Sequence, residues 1–393
     1  MLSGLPLVDG HCHPILAAAP SDREAFALAA TEADVLPPAG VSLLDGPVGL
    51  AIRRWCAPVL DLPAGAPIED YLDRRAELGP ADATARLLAA AGLSHVLVDT
   101  GLDGPELAPP SEVGRAAGAE VREVVRLERV AERLAGSGVG AAGFAAAYAD
   151  ALAAATVDAV AVKSILAYRA GFSGEAARPS RTAVRTAAGR WLARIAKART
   201  GNAPPGPARI ATAPTGDAPP APARLDDPVL LRFVLWCGVD RGLPVQIHTG
   251  FGDRDLRLAA ADPALLQPFL AAAEPSGVPI VLLHCYPYHR QAGWLAQVFP
   301  HVYVDVGLTV GQVGARADVV IGEFCELAPS GKLLFSTDGY ALPELYLVGA
   351  AQFRHSFGRL LAGWVADGAL PAGDGPRVAA LVGAGNARRL YRL

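Results

Sequence analysis

Eight short apolar runs punctuate this chain, over residues 7–13, 95–101, 121–128, 157–163, 243–249, 278–285, 301–307 and 332–338. Each is followed by a polar or Gly-containing turn and then by a stretch of helical periodicity. Runs of that length bounded by turns read as strands. Strands that alternate with helices form a parallel sheet with the helices packed on its faces. Eight such units are the number that closes a (β/α)₈ barrel, the TIM-barrel architecture. A doubly wound open sheet also satisfies the alternation, but it does not explain polar residues at so many run ends. At 393 residues the chain can hold one such barrel as a single unit over 1–393.

Two segments exceed a minimal barrel. Residues 14–92 separate the first two strands and contain helical patterns at 47–56 and 68–78, which predicts a helical excursion over the barrel mouth. Residues 173–227 carry a basic helix over 181–199 and then a Pro/Ala/Gly-rich run over 202–224, which reads as a flexible insertion. A solvated face accounts for the basic helix.

Hydrophobic residues make up 52% of the chain and charged residues 19%, which excludes general disorder. A net charge of −4 argues against a nucleic-acid surface. The Ala-rich stretch over 139–162 is interrupted by Gly143, Asp150 and Asp158, so it reads as a buried helix followed by a strand and not as a membrane span. The first seven residues have no basic region and run straight into a strand, so no secretory signal is expected. The five cysteines form no CxxC pair and are odd in number, which fits reduced thiols and a cytoplasmic setting. Cys12 and Cys285 are read as packing residues.

The ends of the runs carry the chemistry. In Asp9-Gly10-His11-Cys12-His13, alternation along a strand points both imidazoles the same way. Two imidazoles at this spacing can take adjacent positions on one metal. His248 and His284 each end a later run, Asp338 ends the eighth, and Lys163 ends the fourth. Catalytic groups of barrel enzymes sit at that face. Asp338 also stands where a helix N-cap would. The lysine is notable because the chain has only three lysines against 32 arginines. Arginine stays charged in proteins, whereas a buried lysine can lose its proton.

Through VDGHCHP, VAVKSILAYRAGF, PVQIHTGFGD, HCYPYHRQAGWLAQVFPHVYVDVGL and LLFSTDGYALPELYL, the sequence resembles the amidohydrolase superfamily. It is most similar to the second large amidohydrolase family, near the amidohydrolase-like half of proteins fused to a glutamine-synthetase-like domain. The segment 173–227 departs from that pattern. The resemblance implies a divalent metal site, with zinc first and manganese or iron as alternatives. His11, His13 and Asp338 would hold one ion, and Asp338 would act as general base toward a metal-activated water. A carbamylated Lys163 would bridge to a second ion held by His248 and His284. The same residues also permit a single ion held by His11, His13, His248 and Asp338, with His284 polarising the substrate and Lys163 unmodified.

The function expected first is hydrolysis of an amide or cyclic amide C–N bond in a small polar substrate. Non-oxidative decarboxylation of a small unsaturated or aromatic acid is the alternative, and an inactive barrel serving as a binding or regulatory module is the third. The partner expected is a small molecule, with neither nucleic acid nor membrane; homo-oligomerisation is compatible with such barrels. Candidate substrate-binding residues are Glu128 at the end of the third run and Tyr168, Arg169, Arg254, His289 and Arg290 in later loops. Arginines there suit a bidentate grip on a carboxylate. Glu344 is read as first-turn helix charge, and His95, His301 and His355 as structural.

Overall fold

The computed structural model describes residues 2, 4–102, 104–200 and 224–393; all but the last residue of the expected flexible run over 202–224 lies outside them. Eight parallel strands form one sheet in chain order: β1 (Leu7–Cys12), β2 (Leu93–Asp99), β3 (Glu120–Arg126), β4 (Ala161–Ser164), β5 (Val245–Thr249), β6 (Ile280–His284), β7 (Val302–Asp305) and β8 (Leu333–Leu334). Helices surround it, giving the expected (β/α)₈ barrel. Closure between β8 and β1 comes from backbone bonds: Gly10 N donates to Phe335 O and Asp338 N to His11 O, each at 3.0 Å.

β8 is much shorter than its apolar run because residues beyond Leu334 hand their hydrogen bonds elsewhere. Thr337 N donates to the side-chain Oδ1 of Asp9 at 2.8 Å. β4 starts late for a similar reason of environment: Val157, at the start of its run, is 75% exposed and lies in the preceding turn.

The period of two sorts the side chains. Val8, Leu97, Val124, Ala161, Val281, Leu283 and Leu334 point inward and fill the lower barrel, where Leu390 and Tyr391 of the C-terminal helix Asn386–Tyr391 plug it. Their neighbours Leu7, Val96, Val162 and Ile247 point outward against the helices.

The segment between β1 and β2 does two jobs. The helices Arg23–Ala29 and Pro47–Trp55 belong to an excursion across the mouth. The helix Ile68–Ala91 is broken at Gly79 (φ 77°, ψ 160°), just before Pro80, where the predicted 68–78 helix ends. Residues beyond that kink form the barrel's own first crossover helix, so the excursion is shorter than 14–92.

The Ala-rich stretch gives the helix Phe144–Ala155, but this is an outer-wall helix and not a buried one. Only Phe144, Tyr148 and Leu152 are buried, since its alanines offer too little side chain to need covering. The basic helix Arg181–Thr200 docks through buried Val184, Ala187, Ala188, Trp191 and Ile195, while Arg190 and Arg194 pair with Asp227 and Asp226 on its wet side. Among the described residues, no helix is long and apolar enough to cross a membrane.

Candidate metal centre

The upper ends of β1, β4, β5, β6 and β8 bring His11, His13, Lys163, His248, His284 and Asp338 together. Asp338 Oδ1 lies 3.4 Å from the Nε2 atoms of both His11 and His13, and its Oδ2 lies 3.7 Å from His284 Nε2. Lys163 Nζ is 2.9 Å from His11 Nε2. The rings of His248 and His284 are 4.6 Å apart, and those of His11 and His13 are 4.9 Å apart and nearly perpendicular.

The local backbone is bent to achieve this. His284 (φ 66°) and Asp338 (φ 49°) are left-handed, a conformation that costs a residue with a Cβ on the order of 1–3 kcal/mol. Such strain persists only where the surroundings over-determine it. Asp338 is held by its bond to His11 O, and the next turn by His13 N donating to Gly339 O at 2.8 Å.

Gln246 of β5 sets the proton on His11. Its Nε2 donates to Gly10 O at 2.8 Å, and a carbonyl can only accept, so its Oε1 faces His11 Nδ1 at 2.8 Å. His11 Nδ1 therefore carries the hydrogen and Nε2 turns a lone pair into the site. The sequence reading missed Gln246, although it lies two residues before His248 on the same inward face.

Asp99, the last residue of β2, was missed as well. Arg126 grips its Oδ2 through Nε and Nη2 at 3.1 and 2.7 Å, and its Oδ1 accepts from Gly101 N. Its strand-end position is the signal that the sequence offered. Glu32, from the excursion, had no such signal: its carboxyl stands within electrostatic reach of Asp338 and Asp253, and burial together with those two charges pushes it up to about 8.

The electrostatics suit a cation. Burial drives His11 and His248 well below the usual imidazole value and His284 down to about 4, so all three are neutral, the form that ligates metal. Burial alone would raise Asp338, but His284, His13 and His11 hold it well below the usual carboxylate range. Burial lowers Lys163 to about 8, against the pull of Asp99 and Asp338.

His248 Nε2, His284 Nε2 and Asp338 Oδ1 are buried and make no hydrogen bond, a costly state for polar atoms unless something else meets them. Among the described residues, two groups of three could hold an ion: His11, His13 and Asp99, and His11, His284 and Asp338. The donor set fits one or two divalent cations.

Of the substrate-binding candidates, only Tyr168 joins the cluster. Its ring lies 4.6 Å from that of His248. A Cβ at Gly252 would stand 1.8 Å from its hydroxyl, so that position requires glycine.

The others are corrected by their partners. Glu128 is not in β3 but in the first turn of the helix Leu127–Gly136, fully buried, where Oε1 accepts from Ser164 Oγ and Ile165 N and braces the turn after Lys163. Arg169 is buried in a pair with Glu132 at 3.1 Å. His289 and Arg290 pair with Glu323, and Arg290 also with Glu326, between two outer helices. Arg254 is 63% exposed and reaches Asp34 of the excursion at 3.6 Å. Arg169, Arg254, His289 and Arg290 thus each face a local acid. Glu344 is more than first-turn charge: it is fully buried and accepts from Tyr71 Oη and Arg75 Nε, at 2.9 and 2.6 Å.

The profile of the family described as amidohydrolase matches residues 8–393. The chain belongs to the amidohydrolase family. Members of the wider superfamily bind divalent metals, in keeping with the histidine and aspartate groups here. The chain is 39% identical over 152 residues to the protein FluG of Emericella nidulans, a match that spans 38% of this chain and 17% of that protein. Its fold is similar across its full length to a Lactobacillus casei protein provisionally described as a metal-dependent hydrolase (TM-score 0.78, 24% identity, 96% of that chain covered). It is also similar to the uronate isomerase of Thermotoga maritima (TM-score 0.61, 15% identity, 99% of this chain and 95% of that one). At these identities the likeness is one of fold.

Proposed function

We propose that this amidohydrolase-family chain is a metal-dependent hydrolase that cleaves an amide or cyclic amide C–N bond in a small polar substrate. The observation that carries the reading is Lys163: a lysine 1% exposed, at the end of β4, with Nζ 2.9 Å from His11 Nε2 among four histidines and an aspartate. A buried amine whose proton is loosened can take up CO₂ as a carbamate. A carbamate there would add oxygen donors to the two histidine pairs, which supports a two-ion reading.

His11, His13 and Asp338 would hold one ion, and His248 and His284 the other, with the carbamate of Lys163 between them. Zinc is the first candidate, and manganese or iron suits the same donors. A divalent ion bound there lowers the pKa of a coordinated water from about 15.7 to about 7 and polarises a carbonyl. Asp338, kept ionised by its histidine neighbours, would accept a proton on its carboxylate and pass it to the departing nitrogen. His284 Nε2, 3.7 Å from Asp338 Oδ2, orients that carboxylate, and Gln246 keeps the His11 lone pair facing inward.

The test is the metal content of the purified chain, anomalous scattering at the metal edges, and turnover on a panel of small amides. Two ions per chain, a carbamate on Lys163 and loss of turnover by about 10²–10⁴ in Asp338→Asn are expected. One ion beside an unmodified lysine shifts the assignment to non-oxidative decarboxylation of a small acid. No bound ion after expression with zinc or manganese leaves a binding or regulatory barrel.

A further inference from the structure

Asp99 stands closer to the histidine pair than an ion pair with Arg126 requires. β1 and β2 run side by side with Cys12 opposite Val98, so the next residues, His13 and Asp99, are neighbours at the upper rim. Leu97 points into the barrel, and the strand's period of two turns Asp99 the same way. Asp99 is fully buried, and donor atoms of His11, His13 and Asp99 all lie within 4.8 Å of one another.

The carboxylate is clamped, yet it has room for one more partner. Oδ2 accepts from both Arg126 Nε and Arg126 Nη2, and Oδ1 accepts from Gly101 N at 2.8 Å. Each carboxylate oxygen offers two acceptor positions, so Oδ2 is filled, and among the described residues Oδ1 keeps one position open. Gly101 is part of the clamp. A Cβ there would stand 2.3 Å from Arg126 Nε, so only glycine lets the guanidinium lie against the turn. The pair with Arg126, at 2.7 Å, keeps Asp99 charged at a depth where a bare carboxylate would take up a proton.

The two groups of three that could hold an ion are not two independent sites. Both contain His11, and His11 Nε2 has a single lone pair because Nδ1 carries the hydrogen that faces Gln246. Asp338 Oδ1 lies 3.4 Å from Nε2 of both His11 and His13. Donors about 2.0–2.1 Å from one tetrahedral ion stand about 3.3 Å apart, so Asp338 has the spacing of a fellow ligand to both histidines.

We propose that one ion draws on both groups, with Asp99 as a ligand beside His11, His13 and Asp338. This rests on the metal-dependent reading above and extends it. Asp338 is there both a ligand and a proton carrier, and a carboxylate that has taken a proton is a poorer ligand. Asp99, fixed as an anion by Arg126, keeps a charged oxygen on the ion while Asp338 holds the proton.

A crystal structure of the zinc-loaded chain, with anomalous scattering at the zinc edge, tests this without any substrate. An Asp99 oxygen at about 2.0–2.2 Å from the ion is expected. The second arm is the double substitution Asp99→Leu with Arg126→Met. It removes both buried charges together, a change that an apolar pair of similar volume tolerates, so the unfolding midpoint should stay near the native one. Zinc affinity in a chelator competition should fall by more than about 100-fold, beyond what the loss of an outer partner costs. An Asp99 oxygen more than about 3 Å from every ion, or native zinc affinity in the double variant, would overturn the assignment and leave the hydrolase reading standing. If the double variant does not fold, the crystal structure decides alone. A native chain that binds no zinc would end both readings.

Discussion

Low in the barrel, Val8, Leu97, Val124, Val281, Leu283 and Leu334 close on one another against a plug of Leu390 and Tyr391. A few residues further along the same strands, His248, His284 and Asp338 bury polar atoms that nothing in the chain satisfies. Five of the seven left-handed non-glycine residues among those described, His284, Cys285, Leu308, Asp338 and Ala341, stand at the upper strand ends or in the loops above them; Asp61 lies in the excursion and Arg392 follows the plug helix. The lower half is closely packed and leaves fewer unpaired polar atoms, the ring nitrogens of His301 before β7 among them, whereas the upper strand ends concentrate strain and unmet bonding capacity. That division is expected of a scaffold that stabilises itself at one end so that it can hold unfavourable chemistry at the other.

The contrast can be broken from either side. Leu97→Ala removes a fully buried side chain from the lower half. It should cost about 2–5 kcal/mol of stability in denaturant unfolding, from lost burial plus a cavity, while metal stoichiometry stays at the native value. An equal loss of metal would mean that the halves are not separable. Gln246→Leu acts on the other half. It deletes the acceptor that fixes the His11 proton on Nδ1 and should weaken metal binding by about 10–100-fold in a chelator competition. Gln246→Glu keeps an acceptor facing His11 and should recover part of that affinity, an outcome that mere loosening of the core would not give.

How much of this could be read beforehand follows the same division. His11, His13, Lys163, His248, His284 and Asp338 were legible because strand alternation and strand ends are local properties of a sequence. The eight strands were legible too, although β8 keeps only Leu333–Leu334 in its ladder, because the following residues bond to β1 and to side chains. The failures concern pairings between distant elements. Arg169, His289 and Arg290 looked available in their loops, and Glu132 and Glu323 took them. Glu128 looked like a strand end, and the chain had already turned into a helix that uses it to brace Ser164. Gln246 and Asp99 sat at readable positions but are ordinary residue types there. Glu32 lies in an excursion whose path across the mouth no periodicity encodes.

The excursion connects the two regimes, and its anchor tests how tightly they are joined. Tyr71 Oη and Arg75 Nε both donate to Glu344 Oε1, and all three side chains are buried. Glu344 lies in the first turn of the helix Pro343–Ala366, six residues after Asp338, so the helix of the excursion grips the chain just beyond the left-handed turn. Removing Arg75 would strand a buried carboxylate, with a large and uninformative loss of fold. Tyr71→Phe is gentler. It keeps the ring and the Arg75–Glu344 pair and deletes one hydrogen bond, so it should cost about 1 kcal/mol in thermal or denaturant unfolding. If the grip also sets where Asp338 stands, metal affinity should fall by a few-fold alongside. A stability loss with unchanged affinity would show that the bonds from His11 O and His13 N hold Asp338 without help from the excursion.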